Sequence, residues 1–147
     1  MYIENKIDLI KFEKEDAEFI KENFPSYFKD NSIENIEKII ESWQSTLSFC
    51  ITFNDKKVGI ITLGEKQDKK LSLGMMIKDE FQGKGIAQFA FELIKSKARE
   101  LGYSTIISSC SIDNIASIRL HQKCGFKLIK AEINTSGKEM YRWGMEI

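Results

Sequence analysis

Two short segments of this 147-residue sequence carry residue types suited to holding a phosphorylated ligand. The first is Gln82-Gly83-Lys84-Gly85-Ile86-Ala87, with Gln88 directly after it. It joins an apolar run to a long amphipathic one. A helix that opens there leaves its first backbone N–H groups unpaired, and its dipole favours negative charge. Gly83 and Gly85 let the backbone approach a phosphate because no Cβ stands in the way. Lys84 adds a mobile positive charge, and Ala87 keeps the approach narrow. An ordinary glycine-rich turn between strand and helix accounts for the same residues. Two phosphate-loop patterns are not completed: Gln88 stands where G-x-G-x-x-G needs its third glycine, and G-x-x-x-x-G-K-[ST] is absent. A dinucleotide or a nucleoside triphosphate is therefore disfavoured.

The second segment runs from Asp113 to Phe126. It reads as a capped helix ending in Gly125-Phe126. Helical spacing puts Asn114, Ser117 and His121 on one face. A ligand lying along that face meets an amide, a hydroxyl and an imidazole in succession. His121 is the only histidine in the chain. Its unperturbed pKa of about 6.5 suits a group that moves protons near neutrality. A half-buried polar residue on a helix is the alternative.

The elements that must position these segments are set by periodicity and turn chemistry. Ile7 to Phe12 alternates as a short strand. Glu13 to Phe24 is helical and is ended by Pro25, the only proline. Asn31-Ser32 caps a second helix carrying Ile33, Ile36, Ile39, Ile40 and Trp43 at helical spacing. Leu47–Phe53 and Lys57–Leu63 read as strands joined at Asn54-Asp55 in a hairpin. Leu71–Ile77 is a third strand. Gly85–Leu101 is a helix with Ala90, Ile94, Ala98 and Leu101 along one stripe, closed by Gly102. Tyr103–Cys110, Phe126–Glu132 and Met140–Ile147 are further strands around the helix Asn114–Lys123. The order predicts an α+β (mixed α/β) fold with one sheet and helices on both faces. Leu71–Ile77 and Tyr103–Cys110 are expected to be parallel, joined by a right-handed crossover.

Composition narrows the classes. Lys+Arg and Asp+Glu balance at 22 each, so no global field draws the chain to nucleic acid or an anionic membrane. Cys50, Cys110 and Cys124 form no CxxC and read as reduced, small buried residues. One His with scattered Cys makes no zinc pattern, and no metal is expected. The first residues lack a basic stretch followed by a long apolar run, and no apolar run approaches the ~20 residues that span a bilayer. A cytoplasmic protein is expected. An exposed edge in such a sheet is compatible with a homodimer.

Together the two segments resemble the GNAT N-acetyltransferase superfamily. Gln82, Gly85 and Ala87 match the family's Gln/Arg-x-x-Gly-x-Gly/Ala motif. Asn114, Ser117, Leu120, Lys123, Gly125 and Phe126 match its Asn-x-x-Ser/Ala-x-x-Leu-Tyr-x-Lys-x-Gly-Phe motif. The likeness implies a single domain over residues 1–147, with a mostly antiparallel sheet and a splayed parallel strand pair at a CoA site. It implies acetyl-CoA as co-substrate and an amine acceptor. The implied cofactor-binding residues are Met75, Met76 and Ile77 along the pantetheine arm, Gln82, Gly83, Lys84, Gly85, Ile86, Ala87 and Gln88 at the pyrophosphate, and Asn114 and Ser117 on the second helix. Strand addition to an open edge is the physical basis of the first contact. A backbone N–H near Ile77 is expected to stabilise charge on the carbonyl.

The sequence departs from the family twice. His121 stands where the family often has a tyrosine that protonates the leaving thiolate, so His121 is the expected general acid, with Tyr141 and Tyr103 behind it. Ser108, Ser109 and Cys110 occupy a stretch where some members place a glutamate base, leaving ordered water or Glu65 for that role. An acceptor groove is expected from residues Asp16–Phe24, Phe28–Trp43 and Asn134–Trp143. Phe28, Trp43 and Trp143 lie there, with Tyr27 adjoining, either as a cation-binding wall or as core. A CoA-binding or sensing domain without turnover is the alternative to an enzyme.

Overall fold

The computed structural model describes residues 5–147. Seven strands form one sheet in the order β1-β2-β3-β4-β5-β7-β6. They are β1 (Ile7–Ile10), β2 (Leu47–Phe53), β3 (Lys56–Glu65), β4 (Lys70–Ile77), β5 (Thr105–Ser111), β6 (Lys127–Ile133) and β7 (Glu139–Glu146). Every neighbouring pair is antiparallel except β4–β5. The helices are α1 (Ala17–Asn23), α2 (Pro25–Phe28), α3 (Ile33–Trp43), α4 (Ile86–Glu100) and α5 (Ile115–Cys124). Among the described residues, no helix is long and apolar enough to cross a membrane.

Strand alternation sorts the core into two layers. Cys50 and Ile60 join Phe12, Ile20, Ile36 and Ile40 under α1–α3. Their neighbours Ile51 and Ile61 join Phe91, Ile94 and Ile106 on the α4–α5 side. α4 presents Ile86, Ala90, Ile94 and Ala98 at intervals of four residues, all buried. The stripe stops there: Leu101, expected to continue it, caps the helix and is 65% exposed. The Asn54-Asp55 turn has positive φ at both residues (50° and 67°), as a two-residue hairpin turn matching strand twist requires. Pro25 ends α1 as expected but also opens α2, where its fixed φ and missing N–H fit a first helical position.

Gly59 sets how closely β3 approaches β4. It lies opposite Ile77, and a Cβ there would meet the Met76 carbonyl oxygen at 2.6 Å and Ile77 Cδ1 at 2.8 Å. Backbone cannot yield as a side-chain tip can. Gly59→Ala is expected to lower stability by about 1–3 kcal/mol, read by urea unfolding, the range for inserting a methyl into a packed site.

His121 seats α5 on the sheet. Its ring is 7% exposed and stacks on Trp143 of β7, with centroids 5.1 Å apart and planes 15° apart. Phe126 lies edge-on to it at 5.2 Å. Burial lowers the imidazole pKa below its ordinary 6.5, only partly offset by the hydrogen bond to the Ser117 carbonyl. The unfolded chain then binds a proton more readily than the folded one. The resulting stability is complete above pH ~6.5 and is lost as pH falls towards the depressed folded value. The expected outcome is a melting temperature that falls more steeply below pH 6.5 in the wild type than in His121→Asn, measured by calorimetry. A parallel fall in both proteins would contradict it.

Candidate active site

β4 and β5 pair over three positions only: Lys70 with Thr105, Leu71 with Ile106 and Ser72 with Ile107. Beyond them the strands part. Residues Leu73–Ile77 keep β3 on one side, and Ser108–Ser111 keep β7 on the other. Between these two edges runs a wedge in which neither strand has a ladder partner. Met75 and Ile77 pack into the α4 side of the core, while Met76 packs against the α1–α3 side. Their side chains are therefore committed to packing, and the main chain of alternate residues, Met75 and Ile77, is what β4 offers to the wedge, Met76 turning its carbonyl to β3. A ligand with amide groups along its length can be held there as an added strand.

The open end of the wedge leads into the glycine segment. A single 3-10 turn at Asp79–Phe81 succeeds β4, and Gln82 is extended. Gly83 (φ 76°) and Gly85 (φ 80°) adopt the left-handed region that side chains other than glycine rarely occupy. Gly85 caps α4, whose first bond involving the cap is Phe89 N–H to the Gly85 carbonyl. Among the described residues, no backbone N–H from Gly83 to Gln88 donates to a backbone carbonyl. A Cβ placed on Gly83 or Gly85 would have no atom within 4 Å, so the space beside both is open. Successive free N–H groups at the start of a 15-residue helix suit a diphosphate.

The expected site residues divide by the part of each that is accessible. Gly83, Lys84 and Gly85 are exposed, and Ala87 and Gln88 are half-buried. The Ile86 side chain is buried, leaving its N–H to the cradle. Gln82 donates its side-chain amide to the Ile77 carbonyl (3.1 Å) and to Asp79 Oδ1 (3.3 Å), tying the cradle to the end of β4. Gln88 donates to the Lys123 carbonyl (3.3 Å), joining α4 to α5. Asn114 is the N-cap of α5, its Oδ1 accepting from Ser117 N–H at 3.1 Å.

His121 meets the wedge indirectly. Nδ1 lies 2.7 Å from the Ser117 carbonyl, which can only accept, so Nδ1 carries the proton. The Ser117 hydroxyl is 3.4 Å from the same nitrogen. Nε2 is then free to accept from the Ser108 hydroxyl at 2.8 Å. Both ring nitrogens are engaged within the protein, and the group at the wedge in direct contact with His121 is Ser108. Sequence reasoning treats Ser108 as part of a stretch lacking a base. The signal it misses is alternation, which turns Ser108 to the α5 side together with Ile106 and Cys110.

Other candidates separate by position. Glu65 pairs with Leu71, at the closed end of the β4–β5 pair. Tyr103 precedes β5 at that same end. Tyr141 lies opposite Cys110, alongside the open part of β5, edge-on to Trp143. Burial pushes the Cys50 thiol up to about 12 and Cys124 to about 11, which keeps both protonated. The Trp143 indole N–H donates to Cys110 Sγ at 3.3 Å. Of the aromatics in the expected acceptor groove, Phe28 and Trp143 are buried core, Trp43 packs on Phe12, and Tyr27 is 67% exposed. A hollow of about 500 Å³ beside the end of β4 is lined by Phe19, Asp55, Lys56, Lys57, Lys78, Glu80 and Phe81.

Residues 6–127 match the family model described as the acetyltransferase (GNAT) domain. No curated protein matches the chain by sequence. Solved structures share its fold at low identity. An N-acetyltransferase from Staphylococcus aureus superposes with a TM-score of 0.82 at 20% identity, covering 96% of this chain and 98% of its own. A microcin self-immunity acetyltransferase in complex with acetyl-CoA and AMP gives 0.80 at 21%, covering 97% and 93%. An acetyl transfer enzyme from Salmonella typhimurium, which modifies the N-terminal serine of a ribosomal subunit protein, gives 0.81 at 15%, covering 96% and 95%. With a family match over most of its length, a parted parallel strand pair and a glycine cradle at α4, the chain belongs to the GNAT acetyltransferases.

Proposed function

We propose that this protein moves an acetyl group from acetyl-CoA to a primary amine, on a small molecule or a peptide N-terminus, by direct attack within a ternary complex. The observation that carries the reading is the continuous run from the unpaired β4 edge, Leu73–Ile77, into the unengaged N–H groups of residues 83–88. The β4 edge matches the amide-bearing arm of CoA, and the cradle matches its diphosphate. Acetyl-CoA supplies an activated thioester. The protein supplies position: main chain along β4, N–H dipoles and Lys84 at the diphosphate, and α5 from Asn114 onward beside the reacting end. A main-chain N–H on the unpaired β4 edge stabilises negative charge as it develops on the carbonyl oxygen.

Neighbours of the same fold include the Salmonella typhimurium enzyme acting on a protein N-terminus and a spermidine N-acetyltransferase chimera. Both classes of acceptor present a primary amine, and both belong in the screen. At saturating acetyl-CoA, release of free thiol is monitored with polyamines, aminoglycosides, amino acids and peptides as acceptors. Stimulation by one class supports the proposal and names the acceptor. Tight CoA binding with no turnover across the panel would mean a sensing domain instead. That second reading has its own motivation, because β5 beyond the fork carries Ser108, Ser109 and Cys110 and no carboxylate.

The cradle makes a sharper expectation. Gly83→Ala and Gly85→Ala each force a side chain into positive φ, a strain of about 1–2 kcal/mol. Each is expected to weaken CoA binding about tenfold or more by calorimetry, whereas Lys84→Ala loses only a few-fold because a screened surface charge contributes little. Equal affinity of the glycine variants and the wild type would remove the cradle from the proposal.

A further inference from the structure

We propose that Ser108 is a proton-relaying catalytic residue of this enzyme and that His121 is the positioning residue that loads and unloads it. The inference rests on the acetyl-transfer reading above and extends it to residues of this chain.

Three observations converge. Ser108 is the first residue of β5 beyond its last pair with β4, Ile107 with Ser72. Its main chain therefore sits at the point of the wedge, where a ligand held along β4 brings its far end, and its hydroxyl turns from there towards α5. Second, Ser108 is 7% exposed and its Oγ lies 2.8 Å from His121 Nε2, a polar pair inside the α4–α5 core. Third, the Ser117 carbonyl fixes the proton on Nδ1, leaving the Nε2 lone pair directed at the Ser108 hydroxyl. A carbonyl, an imidazole and a hydroxyl in line form an oriented proton path.

The path balances for acetyl transfer. As the amine attacks, a C–N bond forms and the nitrogen must lose a proton. Ser108 Oγ takes that proton while passing its own to His121 Nε2. As the C–S bond breaks, His121 Nε2 returns a proton to Oγ, and Ser108 gives one to the leaving sulfur. The imidazole ends neutral, and one proton has moved from nitrogen to sulfur. No cysteine and no external carboxylate takes part. The groups facing the ring are neutral: Ser117 from α5, Ser108 from β5, Trp143 from β7 and Phe126 after α5.

The test uses the full chain and two readouts. In the first, CoA and desulfo-CoA are titrated into wild type and Ser108→Ala by calorimetry. The wild type is expected to prefer CoA about tenfold, the order of one good hydrogen bond, and Ser108→Ala to lose that preference with desulfo-CoA affinity unchanged. In the second, Ser108→Ala is expected to reduce kcat about 10²-fold with KM for acetyl-CoA nearly unchanged, the scale of one proton-transfer catalyst. His121→Asn should remove the ionisation seen in the wild-type pH profile of kcat, and the double variant should be no slower than Ser108→Ala. Unaltered CoA preference together with kcat within about twofold in Ser108→Ala overturns the relay, since that is far below the usual effect of such a group. Where no acceptor turns over, the CoA and desulfo-CoA comparison decides alone. Failure of the wild type to bind CoA at all sinks the acetyl-transfer reading itself, a different result from a relay failure.

Discussion

The working parts of this fold depend on two parallel strands that pair for three residues and then separate. Were β4 and β5 to continue in register past Ser72 and Ile107, the ladder would close and leave no main-chain edge for a ligand. Holding them apart leaves backbone groups without ladder partners, and unpaired backbone is stable only where water or a ligand satisfies it. The surrounding structure maintains the gap from both sides. β3 anchors β4 through seven opposed residues, Gly59 to Glu65, and β7 anchors all of β5. α4 spans one face, burying Ile86, Phe91 and Ile94 against strands on the β4 side of the gap, while α5 is seated by the His121–Trp143 stack.

This arrangement gives α4 and α5 different duties. α4 begins where β4 ends, so the positive end of its dipole arrives at the mouth of the wedge as a result of connectivity. α5 turns one face towards β5 and β7, where His121 meets Ser108 and Trp143. Asn114 and Ser117 sit on its first turn, and His121 lies one turn further, against the sheet. The Gln88 bridge to the Lys123 carbonyl fixes the two helices to each other near the end of α5. Displacement of either helix would therefore be felt by the other.

Much of this is legible in the sequence. Strand and helix periodicity places nearly every element, because the two faces of the sheet demand opposite residues at successive positions: Cys50 and Ile51, Ile60 and Ile61. The glycine pair is readable because positive φ has few tolerant residues. Less legible are features that depend on three-dimensional packing. Leu101 continues the apolar spacing of α4, yet the helix has ended, and the side chain faces solvent. Trp143 and Phe28 have the composition of a cation-binding wall but fill the core. The Ser108–His121 contact joins residues thirteen apart across a strand-to-helix turn. Nothing local announces it, because its cause is the stacking of His121 on Trp143, a residue another 22 positions along the chain.

The Gln82 side chain has a consequence for reach. By donating to the Ile77 carbonyl, it occupies the last acceptor of β4, and a strand added there under the proposed function would stop at it. The fork beyond Ser72 marks where it must begin. Between Leu73 and Ile77 lie four residue steps, roughly 13 Å of extended chain. Two fixed stops on a rigid strand make a ruler. Under the proposed acetyl transfer, an acyl carrier is measured by the length of its arm between diphosphate and thioester, so carriers with the same head group but a shorter or longer arm would deliver their acyl carbon off the mark.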